Sequence, residues 1–115
     1  MEIHINAPFN IGDKVYIFDE FISYRKDVSK IARTIILGFA FYKDYEDDKP
    51  KPKYIIRDLT EEYSESYKNI ELVFGSPDEV ISAFERSPAL FGITNKDEAK
   101  EIAQTCKNSK VNDWA

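Results

Sequence analysis

Between Phe9 and Phe18 the chain runs Phe-Asn-Ile-Gly-Asp-Lys-Val-Tyr-Ile-Phe, a glycine turn joined directly to a strand that is apolar or aromatic on both faces. Val15 and Ile17 fall on one side and Tyr16 and Phe18 on the other, because successive strand side chains alternate. A strand with no polar face has to be covered twice, which requires layers on both sides of a sheet. We read it as the first strand of a small β-barrel, with Gly12-Asp13 as its entry turn. Ahead of it, Glu2 to Ile5 alternate polar and apolar residues as a short edge strand would, and Pro8 ends any such pairing.

The second constraint is the run Arg33 to Tyr42. Strict alternation places Ile35, Leu37, Phe39 and Phe41 on one face and Thr34, Ile36, Gly38, Ala40 and Tyr42 on the other. Gly38 in its middle predicts a bulge or bend, where a long strand passes from one sheet into another. Residues 19–29 mix charges with Phe21, Ile22 and Tyr24 and fit either a long loop or a short helical turn. Asp44 to Pro52 is charged and proline-bearing, an exposed hairpin tip. Tyr54 to Leu59 returns as the partner strand. An acidic stretch from Asp58 to Glu65 follows, and Ile70 to Phe74 is expected as the closing strand.

The chain then changes character. Ser76 can cap a helix, Pro77 suits its first position, Asp78 favours the dipole and Glu79 completes a capping box. Val80, Ile81, Ala83 and Phe84 give that helix an apolar face, and Pro88 closes it. A second helix is expected from Asn95, with Ala99, Ile102, Ala103 and Cys106 along one stripe and Lys107 and Lys110 at its basic end. Leu90 and Phe91, between the helices, are expected to anchor the pair to the barrel. The fold class is therefore α+β, mainly β: one domain over residues 1–115, with a barrel over 9–75 and a helical pair over 76–107.

With 115 residues and 43% hydrophobic content, the chain can bury roughly two thirds of its unfolded surface. Its single cysteine excludes an internal disulfide and a cysteine-based zinc site. No basic start or long apolar run marks a leader or a membrane span, so a cytoplasmic location is the expectation. A net charge of −5 argues against broad contact with a phosphate backbone, although Lys49, Lys51 and Lys53, with Arg57 beyond them, leave a short basic stripe.

Phe9-x-Ile11-Gly12-Asp13-x-Val15-Tyr16, the Thr34-Ile35 strand with Gly38, and Leu72-Val73-Phe74 running into Ser76-x-Asp78-Glu79 together resemble the small SH3-like barrels of the KOW and Tudor type. Many short phage and mobile-element proteins look similar. The resemblance spans residues 9 to 85 and implies a binding module; its motif is structural and transfers no catalytic residue. The loop after the first strand and the acidic hairpin are longer than such minimal barrels need, and spacing assigns no aromatic cage for methylated lysine.

Acidic residues interleaved with tyrosines form the candidate partner-binding face: Asp44, Tyr45, Glu46, Asp47 and Asp48 on the hairpin, with Asp58, Glu61, Glu62, Tyr63, Glu65 and Tyr67 beyond it. Tyrosines beside charges are common interface anchors, and the acids suit a basic groove on another protein. The plainer alternative is a solvated face, with Tyr63 and Tyr67 packed on the barrel edge. The hairpin acids are a poor calcium loop, since no glycine stands at the sixth position and Ile55 occupies the twelfth. His4 and Cys106 lie at opposite ends of the chain, and Cys106 falls on the apolar stripe of a helix, the place of a core filler. No phosphate loop or nucleophile elbow is present. Trp114 is either an anchor or exposed.

The expected function is a non-catalytic, protein-binding module with no cofactor, such as a phage-encoded inhibitor of a host nucleic-acid-handling or defence protein. The alternatives are a small-ligand binder that holds a nucleotide between aromatics, and a nucleic-acid-binding barrel using the lysine stripe.

Overall fold

The structure, a computed structural model, describes residues 6–19, 30–45, 47–59 and 64–115. The expected strand at Glu2–Ile5, nearly all of the loop over 19–29, and Glu46, Glu61, Glu62 and Tyr63 lie outside the described residues. The described chain is an antiparallel sheet of β1 (Lys14–Phe18), β2 (Ile31–Tyr42), β3 (Lys51–Asp58) and β4 (Ser64–Asn69), followed by helices α1 (Pro77–Arg86) and α2 (Lys96–Asn108). A short strand β5 (Asn112–Asp113) returns to pair parallel with β2 at Ala32 and Arg33. The fold is mixed α+β.

Gly12 takes φ of 92°, a left-handed conformation that a side chain would strain, and the turn it makes lets Asp13 and Gly12 bond to the backbone of Ile36. β1 then pairs with β2 from Lys14↔Ile35 to Phe18↔Ile31. Its two faces divide as the alternation predicts. Val15 and Ile17 join Ala32, Ile36, Tyr54, Ile56, Val73 and Trp114 in one buried cluster. On the opposite face Phe18 and Ile31 meet Val80, Ala83, Phe84, Phe91, Ile102 and Cys106, the apolar faces of the helices. Phe18 stacks on Phe84 with ring centres 5.1 Å apart and meets Phe91 edge-on at 5.3 Å.

β2 shifts register between Ile36, opposite Ile56, and Gly38, opposite Ile55, so one residue is inserted at Leu37. The expected bulge is there, and it changes which side chains share a face. One extra residue reverses the alternation. Phe39 therefore sits opposite Tyr54, with ring centres 5.5 Å apart, and Phe41 opposite Pro52, on the face of Ile36 rather than with Ile35 and Leu37 as simple alternation has it.

The expected strand at Ile70–Phe74 is instead a 3-10 turn at Ile70–Leu72, with Phe74 making a two-way backbone pairing to Tyr16 at 2.8 and 3.0 Å. The strand that pairs with β3 is the earlier segment β4, whose sequence Ser-Glu-Ser-Tyr-Lys-Asn has no apolar alternation because neither face enters a core. Ser76 caps α1 by accepting from the Glu79 amide at 3.2 Å, while the Glu79 carboxylate reaches one residue further back, to the Gly75 amide, at 2.9 Å. Asn95 caps α2 by accepting from the amides of Asp97 and Glu98. Of the two expected anchors between the helices only Phe91 is buried; Leu90 is 55% exposed, since a 3-10 turn cannot aim adjacent residues at one core. Trp114 is an anchor, buried in the first cluster, its amide donating to the Arg33 carbonyl at 2.7 Å while Asp113 pairs with the Arg33 guanidinium at 3.3 Å. Among the described residues no helix is long and apolar enough to cross a membrane.

Candidate functional site

Beyond the bulge, β2 and β3 form a hairpin whose end carries Asp44, Tyr45, Asp47 and Asp48 of the residues singled out from the sequence. Its organising group is Lys53, an ammonium with a side chain only 3% exposed. A buried charge has to be paired. The Lys53 Nζ lies 2.7 Å from Asp47 Oδ2 and 3.9 Å from Asp44 Oδ2, and 6.0 Å from the centre of the Tyr42 ring. Lys51 approaches the other Asp47 oxygen at 3.5 Å. The Asp44 amide also donates to Asp47 at 3.1 Å, folding the tip back over the lysine. The hydrogen bond from Lys53, then the one from the Asp44 backbone, pull the Asp47 carboxyl down from 3.8 to about 2, against the opposing effect of burial.

This corrects two expectations. Asp47 is not a solvated member of an acidic face, and Lys53 is not part of an accessible basic stripe; each is spent on the other. Asp44 is exposed, but its carboxylate is engaged with Lys53 and the Tyr45 amide. Among the described acids of the hairpin, Asp44 and Asp47 are thus engaged and Asp48 is left exposed outside this network.

What the hairpin does present is aromatic. Tyr45 at the tip is 99% exposed and Phe41 is 58% exposed. Tyr42 stacks on Tyr67 of β4, ring centres 4.4 Å apart and planes 11° from parallel, with one side of the pair open to solvent. Tyr67 thus lies beside the hairpin. Glu65, exposed, stands opposite Arg57 in the β3–β4 register. Asp58 is half-buried at the far end of β3, where its carbonyl accepts from the Ser64 hydroxyl at 3.1 Å. The structure brings together Asp44, Tyr45, Asp47, Asp48 and Tyr67, leaves Asp58 and Glu65 toward the other end of the sheet, and does not describe Glu46, Glu61, Glu62 or Tyr63.

Phe39, Phe41 and Tyr42 were missed as site residues because strand aromatics read as core. What leaves them open is their position: exposure rises along β2 toward the hairpin tip, while the shift at Leu37 decides only which face each aromatic takes. Elsewhere, an open depression of about 510 Å³ is lined by Phe74, Asp78, Glu79, Ser82 and Arg86. Its Glu79 and Arg86 already bond to the Gly75 amide and the Ser82 carbonyl. Among the described residues no cluster of three or more His, Cys, Asp or Glu side chains could hold a metal ion. Cys106 lies buried in the helical core, and burial pushes its thiol up to about 11, opposite to what a nucleophile needs.

No protein-family model, curated protein or solved structure matches this chain.

Proposed function

We propose that the protein is a non-catalytic binding module built on an SH3-like barrel and that it engages a protein partner through the outer half of the β2–β3 hairpin. The observation that carries this reading is the exposure of Phe41, Tyr42 and Tyr45 on a hairpin pinned from within by Lys53 and Asp47, with Tyr67 of β4 stacked beside them. Large aromatic side chains open to solvent are what interface anchors look like, since with two side-chain torsions they lose little conformational entropy when covered. The barrel reading is supported by the bulge in β2 between Ile36 and Gly38, by the 3-10 turn after β4, and by the pairing of Phe74 with Tyr16.

The paired charges at the tip change the character of the partner surface from the one composition suggests. Tyrosine hydroxyls, Asp48 and Glu65 favour an apolar patch rimmed by basic residues rather than a phosphate-binding groove that runs the length of the domain. An inhibitor of a nucleic-acid-handling or defence protein is the concrete form of this proposal. The experiment is affinity capture from nuclease-treated bacterial lysate by the wild type and by a Tyr45→Ala, Tyr67→Ala variant, with melting curves for both. A stoichiometric protein held by the wild type and lost by an equally stable variant supports the reading. Retention by the variant, or recovery of nucleic acid or a nucleotide instead of a protein, overturns it.

A further inference from the structure

The two outer edges of the hairpin sheet are built differently. β4, at one edge, reads Ser-Glu-Ser-Tyr-Lys-Asn, and its Glu65 and Lys68 are the kind of charges that deter strand addition. The opposite edge is β2 itself. Up to Ile36 that edge is occupied, by β1 and by the bonds from Ile36 to Gly12 and Asp13. From Gly38 to Tyr42 no strand pairs with it among the described residues, and Gly-Phe-Ala-Phe-Tyr contains neither charge nor proline. An unguarded apolar edge beside a guarded one is explained if the first is covered in the working protein.

We infer that two copies of this chain pair antiparallel along Gly38–Tyr42, about a two-fold axis through Ala40. The stretch is self-complementary in that register. Phe39 of one copy falls opposite Phe41 of the other, twice, on one face of the joined sheet, giving aromatic cross-strand pairs where Phe41 is now open to solvent. On the other face Tyr42 falls opposite Gly38 of the second copy, and with its ring turned over β3 onto Tyr67 no side chain on that face opposes close approach of the two strands. A Cβ at Gly38 would touch Ile55 Cδ1 at 3.4 Å. Past Tyr42, Lys43 of each copy reaches the level of Asp13 in the other, because Asp13 flanks Ile36 on the same edge. The charges at the two ends of the seam are therefore complementary, and the occupied edge at Ile36 limits its length. The pairing does not depend on the hetero-partner proposed above: it takes up Phe41 and Tyr42 of that surface and leaves Tyr45 and Tyr67 outside the seam.

Sedimentation equilibrium across a concentration series, combined with cysteine crosslinking, tests it. A residue on the axis faces its own copy at ~4.5–5.5 Å between Cα atoms, within disulfide range. Phe39 is displaced from its own copy to ~8 Å, outside that range. Ala40→Cys should therefore form an intermolecular disulfide under mild oxidation while Phe39→Cys does not, and the buried Cys106 does not compete. The wild type should show a monomer–dimer equilibrium that Phe41→Lys weakens at least about tenfold, like charges being brought close across the seam. A wild type that is monomeric at every concentration overturns the inference, whatever else covers the edge. So does a dimer that Phe41→Lys leaves intact, or crosslinking at Phe39 in place of Ala40.

Discussion

Lys53 and Asp47 form the one contact in the hairpin whose loss is felt both as charge and as shape. Removing the carboxylate leaves an ammonium that is 3% exposed with the more distant Asp44, at 3.9 Å, as its remaining carboxylate among the described residues; removing both partners together leaves no buried charge there. Asp47→Asn should therefore lower the urea midpoint more than Asp47→Asn combined with Lys53→Met. The pH dependence has a defined sign. The Asp47 pKa is depressed on folding, so its contribution is present above the ordinary value of 3.8 and is lost as pH falls from there through about 2. Acid titration of stability should show a fall in this window that is smaller in Asp47→Asn. At the other end of the molecule, the buried and raised thiol of Cys106 should react with a thiol reagent only as fast as the protein opens, and at once in denaturant.

Among the elements, the helices were the most legible, because their ends are written in local chemistry. Ser76-Pro77 and Asn95 sit at the boundaries that they cap. Ser76→Ala should cost about 1 kcal/mol in chemical denaturation, the ordinary worth of such a cap. β1 was legible as well, since its double-sided apolarity reports two cores. β4 was not: a strand held through backbone pairing on a single edge leaves no periodicity in its side chains, and its composition reads as loop. The hairpin was legible as an element but misread in its surface. A bulge reverses the meaning of every residue after it, so Phe39 and Phe41 could be placed only once the shift at Leu37 was known. Nor does composition reveal that the charges of Lys53 and Asp47 cancel, because that pairing is made in three dimensions.

At the scale of the whole molecule, the return of the chain to β2 makes Trp114 part of the cluster around Val15, Ile36 and Tyr54. Trp114→Ala should cost about 3–5 kcal/mol, the usual range for emptying a large aromatic site, read from denaturant unfolding followed by circular dichroism. That one ring reports on only half of the interior. The other half, between sheet and helices, has Cys106 within it.

β1 and the first half of β2 form the partition wall between those halves, presenting Val15, Ile17, Ala32 and Ile36 to one and Phe18 and Ile31 to the other. Neither compartment can open without taking down a wall of its neighbour. The indole emission of Trp114 and the accessibility of the Cys106 thiol should accordingly trace one coincident transition along a denaturant gradient, and two separated transitions would mean that the wall stands by itself.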